Sequence, residues 1–380
     1  MGKKKKIRAE FRKNRGVRTR PSDWTEQYRQ HGFENEAPPQ GERVSGKGEL
    51  VRRRTVCGEQ VEGHEEPGFD VHLDVDASVC RQGRVLSVFG LLSTVEDQCG
   101  VVYQCATRRL LKTLATDQRH VVAAGDRVVF RPVENSDPKE GLIERVEPRR
   151  GCICRAVRGR QQILVANVDQ LAIVSSAVEP RLKPHLIDRM LVTAEKGGVR
   201  PLICINKVDL VDPAGLQPLV GVYAQMGYEV LLVSAVSGFG VERLHRALAG
   251  RANVVVGQSG VGKSSLLNRI DPSFDLNVAP VSEDNEKGKH TTSTARLLRL
   301  AGGGYVVDTP GVRQFQLWDV TVEEVAGYFR DVRPYVNLCR FPDCTHTHED
   351  GCAVKNAVAD GRLDERRYES YCHLFAGDFE

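Results

Sequence analysis

A glycine-rich stretch in the second half of the chain restricts the possible folds more than any other feature. Residues 257–264 read Gly-Gln-Ser-Gly-Val-Gly-Lys-Ser, directly after the apolar run 253–256 and before a helical pattern that begins at Ser265. Such a turn points backbone N–H groups and the positive end of a helix dipole at one small volume. It therefore predicts a phosphate-binding loop. The residues assigned to this glycine-rich loop are Gly257, Gln258, Ser259, Gly260, Val261, Gly262, Lys263, Ser264 and Ser265.

Two side chains of this loop, and a second motif, are expected to act on the phosphates. Lys263 is expected to reach the β- and γ-phosphates as a catalytic residue, and the Ser264 hydroxyl to ligate Mg²⁺. Asp308-Thr-Pro-Gly311 follows the apolar run 305–307. Asp308 is expected to hold Mg²⁺ through water, and the Gly311 N–H to contact the γ-phosphate. Asp and Gly are common turn residues, so this motif alone is weak evidence for a nucleotide site. It becomes strong evidence because it follows a glycine-rich loop.

Apolar strands and helical patterns alternate from about residue 162 onwards. This alternation predicts parallel strands wrapped by helices. The strand-like runs are 170–174, 201–205, 230–233, 253–256 and 305–307, and the clearest helical patterns are 185–196 and 241–248.

Two further motifs follow strand-like runs and resemble the base-recognition elements of the GTPase superfamily. The first reads Asn-Lys-Val-Asp, and the second is Ser-Ala. The resemblance implies that Asp209 accepts hydrogen bonds from guanine N1 and N2, donors that adenine lacks. A buried Asp209 would then reject adenine, by a factor that can exceed ~10³. The residues assigned to guanine binding are Asn206, Lys207, Val208 and Asp209, here called the base loop, with Ser234 and Ala235.

The order of these motifs is reversed relative to a Ras-like chain. The base loop and Ser234 precede the glycine-rich loop, which predicts a circularly permuted core. A permutation is tolerated where the original termini are neighbours on the surface. The chain then leaves the core just after Gly311, so the phosphate-sensing segment is tethered to the residues that follow.

A polar stretch between the glycine-rich loop and Asp308 is expected to be the first switch. It contains Gly-Lys-His-Thr-Thr-Ser-Thr at residues 288–294. Thr292, in preference to Thr291, is expected to ligate Mg²⁺ and to be catalytic. Val312 occupies the position at which Ras-like enzymes carry a water-orienting Gln. Either His290 or a group from a partner must then orient the water, and we expect slow turnover without partners.

A Cys/His cluster near the C-terminus has the composition of a metal site. Three thiolates and one imidazole form a closed tetrahedral set suited to structural Zn²⁺. His348 is a second histidine in the same stretch and could replace the assigned one. The expected ligands are Cys339, Cys344, His346 and Cys352.

The N-terminal region combines a basic segment with short strand-like runs. Residues 1–20 contain ten Lys or Arg and one acidic residue, while the whole chain has a net charge of +4. Such a segment suits contact with nucleic-acid phosphates. The strand-like runs 83–88, 100–105 and 125–130 predict a small barrel. An oligonucleotide-binding (OB) barrel fits its size, and the pattern does not distinguish it from an SH3-like barrel.

Together these motifs resemble the RsgA (YjeQ) family of small-ribosomal-subunit-dependent GTPases. The resemblance covers about residues 77–375 and implies a multidomain chain. Its expected parts are a basic, largely disordered extension (1–67), an RNA-binding OB-type β-barrel (68–155), a circularly permuted α/β P-loop GTPase core (156–318) and a C-terminal zinc-binding helical module (319–380). Two departures are that residues 21–67 have no clear counterpart, and that the switch reads His-Thr-Thr-Ser where a third Thr is usual.

The resemblance also implies a function and partners. The family hydrolyses GTP to GDP with Mg²⁺, is stimulated by the small (30S) ribosomal subunit and its rRNA, and acts in late maturation of that subunit. We expect a cytoplasmic monomer without membrane association, because no apolar run approaches the roughly 18–20 residues that span a bilayer and no secretory signal is present. The alternatives are a GTPase acting on the large subunit or another RNA, and an RNA-binding regulator for which GTP is a structural ligand.

Overall fold

The N-terminal region forms an antiparallel sheet in the computed structural model. The structure describes residues 6–10, 53–60, 71–113, 121–134, 136–157, 160–276, 295–308 and 320–377. Strand β1 (Lys6–Glu10) pairs with β2 (Arg53–Gln60), which pairs with β3 (Val71–Leu73). The first two strands lie within residues 1–67, the stretch expected to be largely disordered, and the rest of that stretch lies outside the described residues.

The next five strands close into a barrel. They are β4 (Arg81–Phe89), β5 (Leu92–Asp97), β6 (Val102–Thr107), β7 (Arg127–Pro132) and β8 (Glu140–Val146). Their order is β4-β5-β6-β8-β7, and pairing of β4 with β7 completes the ring. The pair β6–β8 is parallel. A short helix, α1 (Arg109–Thr113), follows β6. Alternate side chains fill the interior, among them Val85, Val95 and Phe130, as the two-residue period of a strand requires.

A hairpin and a mixed sheet follow the barrel. The hairpin pairs β9 (Ile153–Val157) with β10 (Arg160–Val165). The sheet has the order β13-β12-β11-β14-β16-β15, in which β15 alone is antiparallel. Its strands are β11 (Gln170–Ser176), β12 (Arg200–Asn206), β13 (Glu229–Leu232), β14 (Ala252–Val256), β15 (Arg296–Arg299) and β16 (Tyr305–Asp308). This sheet confirms the predicted parallel α/β core.

Helices cover the sheet because its central strands are apolar on both faces. Every residue of β14 is buried, which is typical of a parallel strand between two helical layers. Two hydrophobic clusters lie on the opposite faces of the sheet. The helices are α2 (Pro184–Lys196), α3 (Gln217–Gln225), α4 (Val241–Leu248) and α5 (Lys263–Ile270).

The C-terminal module consists of short helices and loops around its own core. The helices are α6 (Val325–Tyr328), α7 (Arg333–Val336), α8 (Ala353–Ala359) and α9 (Glu365–Ala376). Its hydrophobic cluster includes Val192 of α2, so the module packs on the helical layer of the α/β core. Among the residues described, no helix is both long and apolar enough to cross a membrane.

Candidate functional site

The predicted nucleotide motifs meet at one edge of the parallel sheet. Strands β12, β13, β14 and β16 are parallel, and a predicted motif follows or completes each of them at its carboxyl end. The chain runs from β11 through β12 to β13 on one side of the sheet, and from β14 to β15 and β16 on the other side. The topological switch point therefore lies between β11 and β14. Ligands of open α/β sheets bind outside the carboxyl ends of the strands at such a point.

The glycine-rich loop follows β14 and has space only for glycine at two positions. Gly257 has a φ of 146°, and an added Cβ would lie 2.0 Å from the Val174 carbonyl oxygen. Gly262 has a φ of 91°, and its Cβ would lie 2.4 Å from Asn206 Nδ2. Both positions combine a left-handed backbone with close neighbours. A side chain at either of these two positions would therefore clash with its neighbours and distort the loop.

Lys263 lies over this loop at the first position of α5. Its Nζ donates hydrogen bonds to the carbonyl oxygens of Gly257 and Gln258, at 2.8 and 2.6 Å. Ser264 and Ser265 follow in the first turn and are half-buried. The ammonium group, the free N–H groups of a helix start and two hydroxyls therefore surround one volume, an arrangement suited to phosphate.

Asn206 joins the glycine-rich loop to both guanine motifs. It is 1% exposed. Its Nδ2 donates to the Val261 carbonyl at 2.8 Å, and its Oδ1 accepts from the Ala235 backbone N–H at 3.2 Å. One side-chain amide thus holds three loops in register. The sequence assigns Asn206 to the base loop but does not predict these contacts, because no local pattern reveals contacts with residues so distant in the chain.

The other residues of the base loop follow Asn206 directly in the chain. Lys207 has a φ of 61°, and its Nζ donates to the Glu179 carbonyl. Val208 is buried, whereas Asp209 lies exposed in a 3₁₀ turn, Val208–Leu210. The Asp209 carboxylate is thus exposed, and not buried as the expected rejection of adenine requires.

Ser234 and Ala235 form the other side of this region. Ser234 is fully buried, and its Oγ accepts a hydrogen bond from the Ser237 backbone N–H at 3.0 Å. Ala235 is half-buried. The turn around Ser234 is closed by a further bond from Gly238 N–H to the Ser234 carbonyl at 3.0 Å. The backbone of Ala235 is therefore fixed from both sides, by this turn and by Asn206.

Part of the predicted switch machinery lies outside the described residues. His290 and Thr292 fall within 277–294, and Gly311 and Val312 fall within 309–319. Asp308 is the last residue of β16, and its backbone is opposite Arg296 of β15. The described chain therefore brings together the glycine-rich loop, both guanine motifs and the strand that ends at Asp308.

The four predicted metal ligands converge in the C-terminal module. The ligand atoms of Cys339, Cys344, His346 and Cys352 all lie within 4.8 Å of one another. The Cys339 Sγ is 3.3 Å from His346 Nδ1 and 3.9 Å from Cys352 Sγ. Ligands of one tetrahedral ion, each 2.0–2.3 Å from it, lie roughly 3.3–3.8 Å apart. The donor set and its spacing therefore fit a tetrahedral metal ion.

Of the two histidines in this stretch, the structure places His346 beside the three cysteines. His346 is 2% exposed, has a φ of 61°, and its carbonyl accepts a hydrogen bond from Tyr368 Oη at 2.8 Å. The side chain of His348 is 80% exposed and is not part of the four-residue group. Burial lowers the pKa of His346, which keeps the imidazole in the neutral form that binds metals.

Comparison with known proteins agrees with this geometry. The family model of the RsgA GTPase matches residues 146–318. The small ribosomal subunit biogenesis GTPase RsgA of Sodalis glossinidius (strain morsitans) is 41% identical over 302 residues, covering 78% of this chain and 85% of that protein. The protein of the same name from Yersinia enterocolitica is 40% identical over 334 residues, with 86% and 92% covered.

Two solved structures resemble the whole arrangement. YjeQ from Thermotoga maritima superposes with a TM-score of 0.64 at 35% identity, and the match covers 78% of this chain and 98% of that one. YloQ, described as a circularly permuted GTPase, gives a TM-score of 0.61 at 28% identity, with 84% and 97% covered. With its nucleotide motifs in permuted order on one sheet edge and relatives matching over most of their length, the chain belongs to the RsgA GTPase family.

Proposed function

We propose that this GTPase hydrolyses GTP to GDP and phosphate during maturation of the small ribosomal subunit, and that the subunit stimulates it. One observation carries the nucleotide part of the proposal: Asn206 holds the glycine-rich loop and both guanine motifs together at the edge of the sheet. The ribosomal part rests on relatives that are named small ribosomal subunit biogenesis GTPases and match over most of their length.

In this proposal each group of residues has a distinct task. Residues 257–265 bind the phosphates through backbone N–H groups and Lys263, while Asp209 accepts hydrogen bonds from guanine. Ser264, Thr292 and Asp308 hold Mg²⁺. When bound, the ion neutralises charge on the β- and γ-phosphate oxygens. The Gly311 N–H contacts the γ-phosphate.

The water-orienting group is proposed to come from His290 or from the subunit. Val312 has no polar atom in its side chain and cannot orient water. Enzymes of this class that lack a complete set of catalytic groups hydrolyse GTP slowly until a partner supplies one. We therefore expect turnover well below ~1 s⁻¹ for the isolated chain.

The C-terminal cluster is proposed to hold one structural Zn²⁺. Three thiolates and an imidazole would fill all four positions, which leaves none for a reacting water. The distances of 3.3–3.9 Å between donor atoms support this assignment. The metal would replace the large core that a module of four short helices lacks.

The barrel and the basic segment are proposed to bind rRNA, and the barrel to be of the OB type. The third and fifth barrel strands, β6 and β8, pair in parallel, and α1 lies between the third and fourth strands. A barrel in which every strand pairs with the next along the chain would not contain that parallel pair, so the order favours the Greek-key OB arrangement over a meander.

The decisive experiment measures GTP hydrolysis by the purified chain alone, with small subunits, and with large subunits. We expect stimulation by small subunits only, and no hydrolysis by Lys263→Ala under any condition. Stimulation by large subunits instead would redirect the proposal to that particle. If Lys263→Ala still supported maturation of the small subunit in cells, GTP would be a structural ligand rather than a substrate.

A further inference from the structure

Arg367 of α9 lies buried between two carboxylates at the contact between the C-terminal module and the α/β core. Its side chain is 3% exposed. Its Nη1 is 2.5 Å from Asp188 Oδ1 of α2, and its Nε and Nη2 donate to the two oxygens of Asp331 at 2.9 and 3.0 Å. The guanidinium carbon is also 4.4 Å from the centre of the Phe329 ring. A charge of the module is therefore paired with a fully buried charge of the core.

Stability alone is a weak reason for this pair. Removing two charges from water costs several kcal/mol per ion, and apolar side chains of similar volume are often as stable or more stable. A charge-assisted contact is, however, favourable only over a narrow range of distances and angles, whereas apolar contacts have no preferred direction. The Asp188–Arg367 pair is therefore suited to set the angle at which α9 meets α2.

Asp188 also fixes the two helices that flank the base loop. The Tyr223 Oη of α3 donates to the same Asp188 Oδ1 at 2.8 Å. Helix α2 leads into β12, at whose end the base loop begins, and α3 follows the base loop. One carboxylate oxygen thus joins three helices, of which two lie directly before and after the guanine-binding strand and loop.

The segment that leads into α2 contacts the base loop directly. The Ala177 backbone N–H donates to the Asn206 carbonyl at 2.8 Å. Lys207 Nζ donates to the Glu179 carbonyl. A rotation of α2 about its contact with α9 would consequently move the carbonyl that holds Lys207. The buried pair and the base loop are thus connected through the start of α2 and the residues before it, which are hydrogen-bonded to the base loop.

We propose that Arg367 and Asp188 are positioning residues for guanine recognition, through which the C-terminal module sets the geometry of the base loop. The inference rests on the proposed function, because it assumes that Asp209 binds the guanine base. It predicts that the module affects the choice of base more than the binding of phosphate. The ratio of the affinities for GDP and inosine diphosphate measures this choice of base. Inosine differs from guanosine only in lacking the N2 amino group, which is proposed to donate a hydrogen bond to Asp209.

The experiment compares that ratio, measured by calorimetry, in full-length wild type, Arg367→Met and Tyr223→Phe. We expect Arg367→Met to reduce the ratio about fivefold or more. Tyr223→Phe, which removes a single oxygen atom, is expected to reduce it less but in the same direction. Arg366→Met is the matched control, because Arg366 lies next to Arg367 but pairs with Asp364 at the surface, and its ratio should equal that of the wild type.

Zinc content and the unfolding midpoint are measured for each variant. A lower ratio in a variant that keeps its zinc and remains folded at the assay temperature supports positioning, since partial unfolding lowers both affinities equally. Unchanged ratios in Arg367→Met and Tyr223→Phe overturn the inference alone. If Arg367→Met does not fold, Tyr223→Phe decides. A wild type that binds both diphosphates equally overturns the assignment of Asp209 and this inference with it.

Discussion

Asn206 and Gly262 show how closely the base loop and the glycine-rich loop approach each other. The Asn206 amide satisfies one carbonyl and one N–H, on two different loops. A buried polar group without a partner costs about 1–3 kcal/mol, so each loop depends on this side chain. Gly262 leaves the space that the amide occupies, since a Cβ there would be 2.4 Å from Nδ2. The base and phosphate parts of the site therefore form one unit.

Gly262→Ala is expected to weaken GDP binding roughly tenfold to a hundredfold. The new methyl group displaces the Asn206 amide and shifts the N–H groups that face the phosphates. Loss of one hydrogen bond to a charged group is worth about 1.5–3 kcal/mol, which corresponds to that range of affinity. Equilibrium titration with a fluorescent GDP analogue measures the change.

Gly303→Ala is the control that distinguishes the effect of a steric clash from the effect of backbone strain. Gly303 has a similar positive φ, 82°, but an added Cβ there has no atom within 4 Å. This variant should lose stability while binding GDP normally. If both variants bound GDP equally well, the close approach of Asn206 and Gly262 would have no role in nucleotide binding.

Asp209→Asn is expected to exchange guanine for xanthine specificity. The new amide can place an N–H donor where the carboxylate is proposed to accept a hydrogen bond from the guanine N2 amino group. Two donors then face each other, so the affinity for GDP should fall by about 10³-fold. Xanthine carries a carbonyl oxygen at that position, and the amide N–H complements it. Calorimetric affinities for GDP and xanthosine diphosphate test both halves of the expectation.

Asp212→Asn provides the matched control for that exchange. Asp212 is an exposed carboxylate three residues further along, which accepts a hydrogen bond from the Ala214 N–H at 2.9 Å. Its substitution should leave both nucleotide affinities unchanged. Retention of full GDP affinity by Asp209→Asn would mean that the base binds elsewhere.

Elements with continuous apolar runs could be predicted from the sequence. Helix α4 has the predicted bounds, and the ends of the predicted core strands lie within two residues of the observed ends. Buried parallel strands carry apolar residues on both faces, so their signal is strong in a single sequence. The glycine-rich loop was equally predictable, because its backbone needs φ values that favour glycine, and this requirement is visible in the local sequence.

Strands with weaker patterns escaped prediction. β5 reads Leu-Ser-Thr-Val-Glu-Asp and β8 reads Glu-Gly-Leu-Ile-Glu-Arg-Val, and both carry buried carboxylates. Glu96 of β5 is buried because Tyr305 Oη donates to it at 2.6 Å and Arg299 lies 3.1 Å away. These partners are some 200 residues distant in the chain, and no local periodicity indicates them.

The group of three cysteines and one histidine leads to a prediction for the whole C-terminal module. His346→Ala is expected to remove bound zinc and to lower the unfolding midpoint of the chain by about 5 °C or more, because structural zinc contributes folding free energy directly. Treatment with a strong chelator should have the same effect on the wild type. Elemental analysis and calorimetric melting measure the two quantities.

His348→Ala is the control for the metal ligand. His348 is exposed and lies outside the four-residue group, so this variant should keep one zinc per chain and the wild-type melting temperature. Zinc retained by His346→Ala but lost by His348→Ala would reverse the assignment. Equal zinc content in all three proteins would show that neither histidine is a ligand.

At the scale of the whole molecule, the barrel and the α/β core share hydrogen-bonded strands. Ser87 of β4 is opposite Arg296 of β15, which joins the two sheets into one. Arg84 reinforces the junction by donating to the Asn167 carbonyl at 2.8 Å and packing over the Tyr305 ring. Sequence analysis predicted both units but not this junction, because it depends on a single bridge and on long-range contacts. The junction therefore places the barrel next to β15 and β16, the strands between the two predicted switches.

The distribution of charge allows a test of the proposed contact between the basic segment and rRNA. Residues 1–20 carry ten Lys or Arg and one acidic residue, an excess larger than the net charge of +4 of the chain. The rest of the chain is consequently net acidic and repels phosphate at long range. Changing those ten residues to Gln should weaken binding to small subunits at low salt. It should also reduce the magnitude of the slope of log affinity against log salt concentration by up to about 7–9, because each phosphate contact contributes about 0.7–0.9.

A second charge variant distinguishes local contact from net charge. Residues 21–40 contain one Arg and four acidic residues, so changing these five to Gln or Asn makes the chain more positive. If net charge alone governed binding, this variant would bind subunits more tightly. If residues 1–20 contact rRNA directly, it should bind like the wild type, and only the ten-residue variant should lose salt dependence. Sedimentation with purified small subunits at several salt concentrations gives both slopes, and an unchanged slope in the ten-residue variant would exclude the basic segment from the interface.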